Sequence, residues 1–210
     1  MKKLAKEFKN PGVAYRGKPF WSWNGKLEKK ELIRQIDVLK DMGMGGYFCH
    51  SRTGLATEYL GKEWFELINS CAAKGKKEGM ETWLYDEDRW PSGSCGGMAT
   101  EKLENRQKSL SMYIGDDSAC ADKQVLGVFA IKLVGEADKG KTHFGKRLSG
   151  YIPLRTNREI PEGYEKAAFV VEFIQPSDFY NGNTYLDTLN KNAVQDFISL
   201  THEKYKVALG

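Results

Sequence analysis

Apolar positions along this chain fall into a repeating plan. Residues 28 to 42, EKKELIRQIDVLKDM, bring Leu32, Ile36 and Leu39 to one helical face with Ile33 beside them, and Gly43 follows where a left-handed cap belongs. GGYFCHSR, residues 45 to 52, then reads as a short buried strand. Residues 63 to 79 repeat the plan, with Trp64, Ile68, Cys71, Ala72 and Gly75 as an inner face and Gly79 as the stop. METWLY follows as the next strand, and KPFWSWNG, residues 18 to 25, precedes the first helix as another. Strand, helix, strand, helix, strand with short connections predicts parallel βαβ units with right-handed crossovers.

After Gly97 the rhythm breaks. Residues 98 to 123 read as a polar connector with helical tendency, and residues 124 to 135 and 165 to 175 read as two strands flanking a basic, Gly-rich stretch. The rhythm returns with Val194, Phe197, Ile198, Thr201 and Tyr205 on one helical face, Asn190 or Asn192 serving as N-cap. Three segments are therefore expected: 1–98, the βαβαβ part; 99–175, the connector and β-rich insertion; and 176–210, a third helix and its approach. Gly210 stands where a fourth strand is expected to begin, so the chain reads as unfinished.

Composition narrows the class. With 210 residues, 40% apolar and 29% charged, the chain has the make-up of a folded domain rather than a disordered one. A net charge of +4, with lysines scattered, gives no footprint for nucleic acid. No 18-residue apolar run or signal peptide is present, which predicts no membrane span and a cytoplasmic location. Cysteines at 49, 71, 95 and 120 form no CxxC pair, so reduced thiols are expected rather than disulfides or zinc.

Candidate chemistry concentrates at the carboxyl ends of the predicted strands, where parallel α/β folds bind ligands. Those ends read Trp21-Ser22-Trp23-Asn24, His50-Ser51-Arg52 and Asp86-Glu87-Asp88-Arg89-Trp90. If the third strand keeps its pleat, Asp86 and Asp88 share a side, with Cα atoms about 6.6 Å apart after two steps of about 3.3 Å. Such closeness suits acid/base work or a cation; the competing reading is a turn whose carboxylates cap amides or pair with Arg52 and Arg89. Trp21, Trp23 and Trp90 offer flat faces for sugar C–H groups or, equally, core filling. Cys95 has no base partner near it in sequence, which argues against a nucleophile.

PFWSWNG, GGYFCHSRTGLATEYLGKEWFELI, GMETWLYDEDRWPSG and YLDTLNKNAVQDFISLTHEKYK together resemble the N-terminal catalytic region of α-L-rhamnosidase-like glycoside hydrolases. The likeness spans about residues 10 to 98 and 176 to 206, and the Tyr-Asp-Glu-Asp-x-Trp-Pro-Ser-Gly run is its most specific piece. It implies α/β architecture as a partial (β/α)8 TIM barrel, its first three βα units followed by a β-rich insertion. It also implies a carbohydrate substrate, rhamnosides foremost, cleaved by two carboxyl groups. Glu87 and Asp88 are then the catalytic candidates, with a partner carboxylate expected beyond residue 210. Trp23, Asn24, His50, Arg52, Asp86, Trp90, Asn181 and Asp187 are the substrate-binding candidates. No cofactor is required, and calcium is the metal the acidic run is suited to contact. The expected partners are a carbohydrate, neither nucleic acid nor membrane, and a second copy or a completing half-barrel. Rival readings are a non-catalytic carbohydrate-binding fragment and a metal-dependent barrel hydrolase using His50 and the acidic trio.

Overall fold

The computed structural model describes residues 2–116, 118–155 and 159–210. Asp117, in the expected connector, and residues 156–158, in the expected insertion, lie outside the described residues. The chain divides into two compact units, Met1–Arg106 with Gln175–Gly210, and Gln107–Ile174.

The first unit begins with helix α1 (Lys2–Lys9) and alternates β1 (Phe20–Gly25), α2 (Lys29–Asp41), β2 (Gly46–Leu55), α3 (Lys62–Glu78) and β3 (Glu81–Asp88). The glycine stops act as their positions suggest. Gly79 is left-handed at φ 67°, and Met80 N–H reaches back to Gly75 O at 2.9 Å. Gly43 (φ 82°) ends α2 in the same way, with Met44 N–H on Leu39 O at 3.0 Å. The strands run parallel in the order β1-β2-β3.

This arrangement corrects the barrel expectation. The parallel strands form an open three-stranded sheet, and the four later strands form a separate antiparallel sheet, so the fold is mixed α/β and not a partial (β/α)8 barrel. The physical reason lies after β3. A barrel needs helical crossovers to continue, whereas the chain next enters strands that reverse antiparallel to one another. A local strand-helix rhythm does not itself specify closure.

One face of the parallel sheet packs on the helices. Trp21, Trp23, Tyr47 and Cys49 alternate onto that face and meet Ile36, Trp64, Ile68 and Cys71 in the core. Trp23 stacks edge-on with Trp21 at 5.3 Å and with Trp64 at 5.1 Å. The opposite face carries Phe20, Phe48, His50, Trp83 and Tyr85, with Phe20 and Trp83 exposed. After the insertion the chain returns as α4 (Lys191–Leu200), capped by the Asn190 side chain, and α5 (His202–Leu209). The single helix expected here breaks at buried Thr201, whose hydroxyl donates to Phe197 O at 2.7 Å. Trp64 Nε1–H then donates to Tyr205 Oη at 3.0 Å and ties α5 to the core.

The second unit is a four-stranded antiparallel sheet in the order β4-β7-β5-β6, built from β4 (Lys108–Ile114), β5 (Gln124–Val134), β6 (Arg147–Pro153) and β7 (Glu165–Phe173). Helical tendency was the expectation for residues 98–123; β4 replaces it because Ser109-Leu110-Ser111-Met112 alternates with the period of a strand. No helix among the described residues is long and apolar enough to cross a membrane.

Two expectations for stability follow from α3. A Cβ on Gly75 would lie 2.5 Å from Thr82 Oγ1 and 2.7 Å from Tyr47 Oη, atoms already linked by hydrogen bonds to each other and to Cys71 O. Gly75→Ala is expected to destabilise the protein by about 1–3 kcal/mol in urea unfolding, against the usual helix preference for Ala. Lys40 and Lys74 hold the Glu78 carboxyl at about 2, and Arg34 with Gln35 holds Glu31 at about 2. Both folded values lie below the ordinary 4.5, so this stabilisation is present above about pH 4.5 and is lost as pH falls towards 2. The urea midpoint should drop between pH 7 and pH 3, and Lys74→Met should narrow that gap.

Candidate functional site

The carboxyl ends of the three parallel strands lie side by side. Trp23 is in register with Ser51, and Ser51 with Asp88. The register of β2 against β3 jumps just before this point, from Cys49–Leu84 to Ser51–Asp88. Three residues, Tyr85 to Glu87, therefore stand where His50 alone faces them. The regular pleat expected for Asp86 and Asp88 is absent, and each of the three carboxylates finds different partners.

Glu87 turns inward. It is 1% exposed, and its Oε2 accepts N–H bonds from Gly93 (2.9 Å), Ser94 (2.7 Å) and Cys95 (2.7 Å). Its Oε1 accepts from Asp88 N–H at 2.8 Å and from Gly96 N–H. The loop can wrap a carboxylate because Arg89, Gly93, Cys95, Gly96 and Gly97 all adopt positive φ, turning successive amides to one centre. Burial pushes the Glu87 carboxyl above its ordinary value, while the surrounding amides pull it back down.

Its neighbours turn elsewhere. Asp86 accepts from Ser92 Oγ–H at 2.9 Å and stands 3.5 Å from His202 Nε2 at the start of α5. Asp88 accepts from the buried Ser51 hydroxyl and from Arg89 Nη2 at 3.1 Å. Trp90 is 56% exposed and meets the equally open Phe179 edge-on at 5.6 Å. Asn181 Nδ2 donates to Trp90 O at 3.1 Å, and Leu186 N–H donates to Gly93 O at 3.1 Å, so residues 179–186 brace the acidic loop. Gly93 is required there, since a Cβ would fall 2.3 Å from the Tyr185 ring.

His50 lies on the sheet face turned away from the helices, against Tyr85 at 4.2 Å and Phe20 at 5.0 Å. Burial, with Arg52 adding to it, lowers the pKa of this imidazole and keeps it neutral near pH 7. Both its ring nitrogens are buried and meet no hydrogen-bond partner among the described residues. Tyr85 connects it to the acidic loop: burial raises the phenol pKa and the charges of Asp86 and Glu87 add to the rise. Asn24 stands exposed at the end of β1.

Two expected rim residues sit apart from this cluster. Trp23 is 1% exposed in the core and presents no ring face outward. Asp187 accepts Leu189 N–H at 3.1 Å and sends its own N–H to Asn105 O at 2.8 Å, shaping the turn before α4. Cys95 is fully buried, and burial followed by the Glu87 charge pushes its thiol up to about 12, which leaves it a protonated, inert group.

Among the described residues no three His, Cys, Asp or Glu side chains converge as metal ligands. Calcium takes six to eight oxygens, and the Glu87 oxygens here are already occupied by amides. Sequence reasoning gave no individual role to Ser51, Tyr85, Ser92, His202 or Phe179, although the first four lie in the runs singled out above. Phe179 lies outside them, in the aromatic run around an Asn-Gly turn in DFYNGNTY.

Replacing Glu87 tests the loop directly. Glu87→Gln presents an NH2 group to backbone donors and is expected to lower stability by about 3 kcal/mol, the scale of one or two lost charge-assisted hydrogen bonds. Denaturant unfolding measures it; a loss below about 1 kcal/mol would show that the amides hold their places without the charge.

No protein-family model matches the sequence, and no curated protein matches it. Among solved structures, the chain is similar to a rhamnosidase from Novosphingobium sp. PP1Y, with a TM-score of 0.57 at 11% identity. The similarity covers 99% of this chain but 38% of that one, so the chain spans little more than a third of its structural neighbour's length. At this identity the likeness is one of fold.

Proposed function

We propose that this chain carries the sugar-binding, acid-bearing part of an α-L-rhamnosidase-like glycoside hydrolase. The observation that carries the reading is the aligned strand ends, where Glu87 is sequestered and the half-buried Asp86 and Asp88 stand beside the exposed Trp90. The fold shared with a rhamnosidase supports it. In this reading Trp90 and Phe179 form a platform for a pyranose C–H face. Asn24, Arg52 and Asn181 offer hydrogen bonds to hydroxyl groups. Asp88, oriented by Ser51 and Arg89, is the proton-handling carboxyl, and Glu87 holds the loop that presents it.

Hydrolysis by such a pair moves one proton from a carboxylic acid to the leaving oxygen as the C1–O bond breaks. A carboxylate takes a proton from the water that forms the new C1–O bond. Asp88 fills one of these places, and the activity of the whole enzyme rests on a second carboxyl. A second reading, sugar binding without hydrolysis, is favoured by one feature: the most deeply placed carboxylate, Glu87, is engaged by amides on both oxygens.

Calorimetry with a rhamnose-containing oligosaccharide and turnover of an aryl α-L-rhamnoside separate the two. Binding should weaken about tenfold in Trp90→Ala, equivalent to about 1.4 kcal/mol. Turnover, if it belongs to this chain, should fall by about 10³ in Asp88→Asn with little change in KM. Binding without turnover supports the second reading, and a chain that neither binds nor cleaves defeats both.

A further inference from the structure

The antiparallel sheet of the second unit has two unlike faces. On one, Ser109, Ser111 and Tyr113 stand in register with Glu172, Val170 and Ala168, and Tyr113 Oη–H, Glu172 and Lys123 form a polar cluster with a 2.6 Å ion pair. On the other, Leu110, Met112 and Ile114 lie opposite Val171, Phe169 and Ala167. That second face continues across β5 and β6 through Phe129, Ile131, Leu148 and Tyr151.

A bulge shapes this apolar face. The register of β5 on β7 passes from Val125–Val170 to Gly127–Phe169, which leaves Leu126 as an extra residue. Beside it lies a hollow of about 360 Å³, lined by Leu110, Leu126, Gly127, Leu148, Tyr151 and Phe169 among others. A second hollow of about 530 Å³ adjoins it and shares Ile131, Leu148 and Phe169.

Six large side chains here, Leu110, Met112, Leu126, Phe144, Leu148 and Tyr151, are 47–73% exposed. At roughly 100 Å² each they present ~600 Å² of apolar surface, the upper end of what a monomer's largest patch reaches. A sheet apolar on one face needs a second layer about 10 Å away. Nothing charged lines the first hollow, so its occupant must be apolar.

We infer that this face pairs with the same face of a second copy of the chain, giving a two-layer β-sandwich across a twofold axis. Two facing patches would remove ~1,200 Å², which reaches the lower range of specific interfaces. The surface is also self-complementary in kind: the exposed Leu126 and Leu148 border an apolar hollow, so a leucine of one copy can enter the hollow of the other. This pairing is independent of the sugar-binding reading.

Sedimentation of the 210-residue chain over a concentration series tests it. The expected result is a monomer–dimer equilibrium with a dissociation constant on the order of 1–100 μM, as suits an interface of this size. Leu148→Asp and Leu126→Asp, both at exposed positions, should each leave a monomer with an unchanged far-ultraviolet spectrum and melting curve. A wild-type chain that stays monomeric at the highest concentration overturns the inference. If that monomer enhances the fluorescence of an anilinonaphthalene dye and Leu148→Asp abolishes this, the face serves a different apolar partner. A dimer that persists in both variants overturns it as well and places the contact elsewhere. If one variant is unfolded by its spectrum, the other decides.

Discussion

A carboxylate enclosed by five backbone amides is the constraint on which the candidate site depends. Removing a charge from water is costly unless hydrogen bonds replace the lost solvation, and Glu87 obtains them from Asp88, Gly93, Ser94, Cys95 and Gly96. Wrapping amides around one point forces positive φ at Arg89 and Cys95 as well as at the glycines. With Glu87 directed inward, the residues on either side of it are left to face other partners and solvent. The acidic triplet is therefore split: its centre organises the loop, and its flanks bond to Ser92 on one side and to Ser51 and Arg89 on the other.

Residues 18 to 90 disclose their alternation of strands and helices in sequence because each of these elements is specified locally, whereas α1 was not read from it. Helical periodicity placed α2 and α3 within a residue of their ends, and Gly43 and Gly79 supplied the left-handed caps. Barrel closure was not legible, because it depends on pairing between distant strands rather than on any one βα unit. β6 escaped notice since Gly150 and Pro153 weaken its strand character and suit it to an edge. The break at Thr201 lies within an unbroken apolar periodicity and follows from packing alone.

Within the site, side-chain type was readable and side-chain direction was not. Asp86, Glu87 and Asp88 look equivalent on paper, yet the extra residues opposite His50 send them to three separate environments. Trp21 and Trp23 alternate as expected, but both face the helices because β1 buries that side. Ser51 and Tyr85 lie within the runs that sequence singles out, but nothing in their residue type sets them apart there. Their importance comes from register, which places Ser51 directly beside Asp88.

The bracing of the acidic loop also has a temporal aspect. Asn181 reaches Trp90 O across 91 residues of sequence, and the whole antiparallel sheet is translated between them. Emerging from the ribosome, β1 to β3 can pair long before residues 179–186 exist. During that interval the Asp-Glu-Asp-Arg-Trp segment lacks its outer support. The brace itself can form only after the insert has been made, whatever the speed at which the parallel strands assemble.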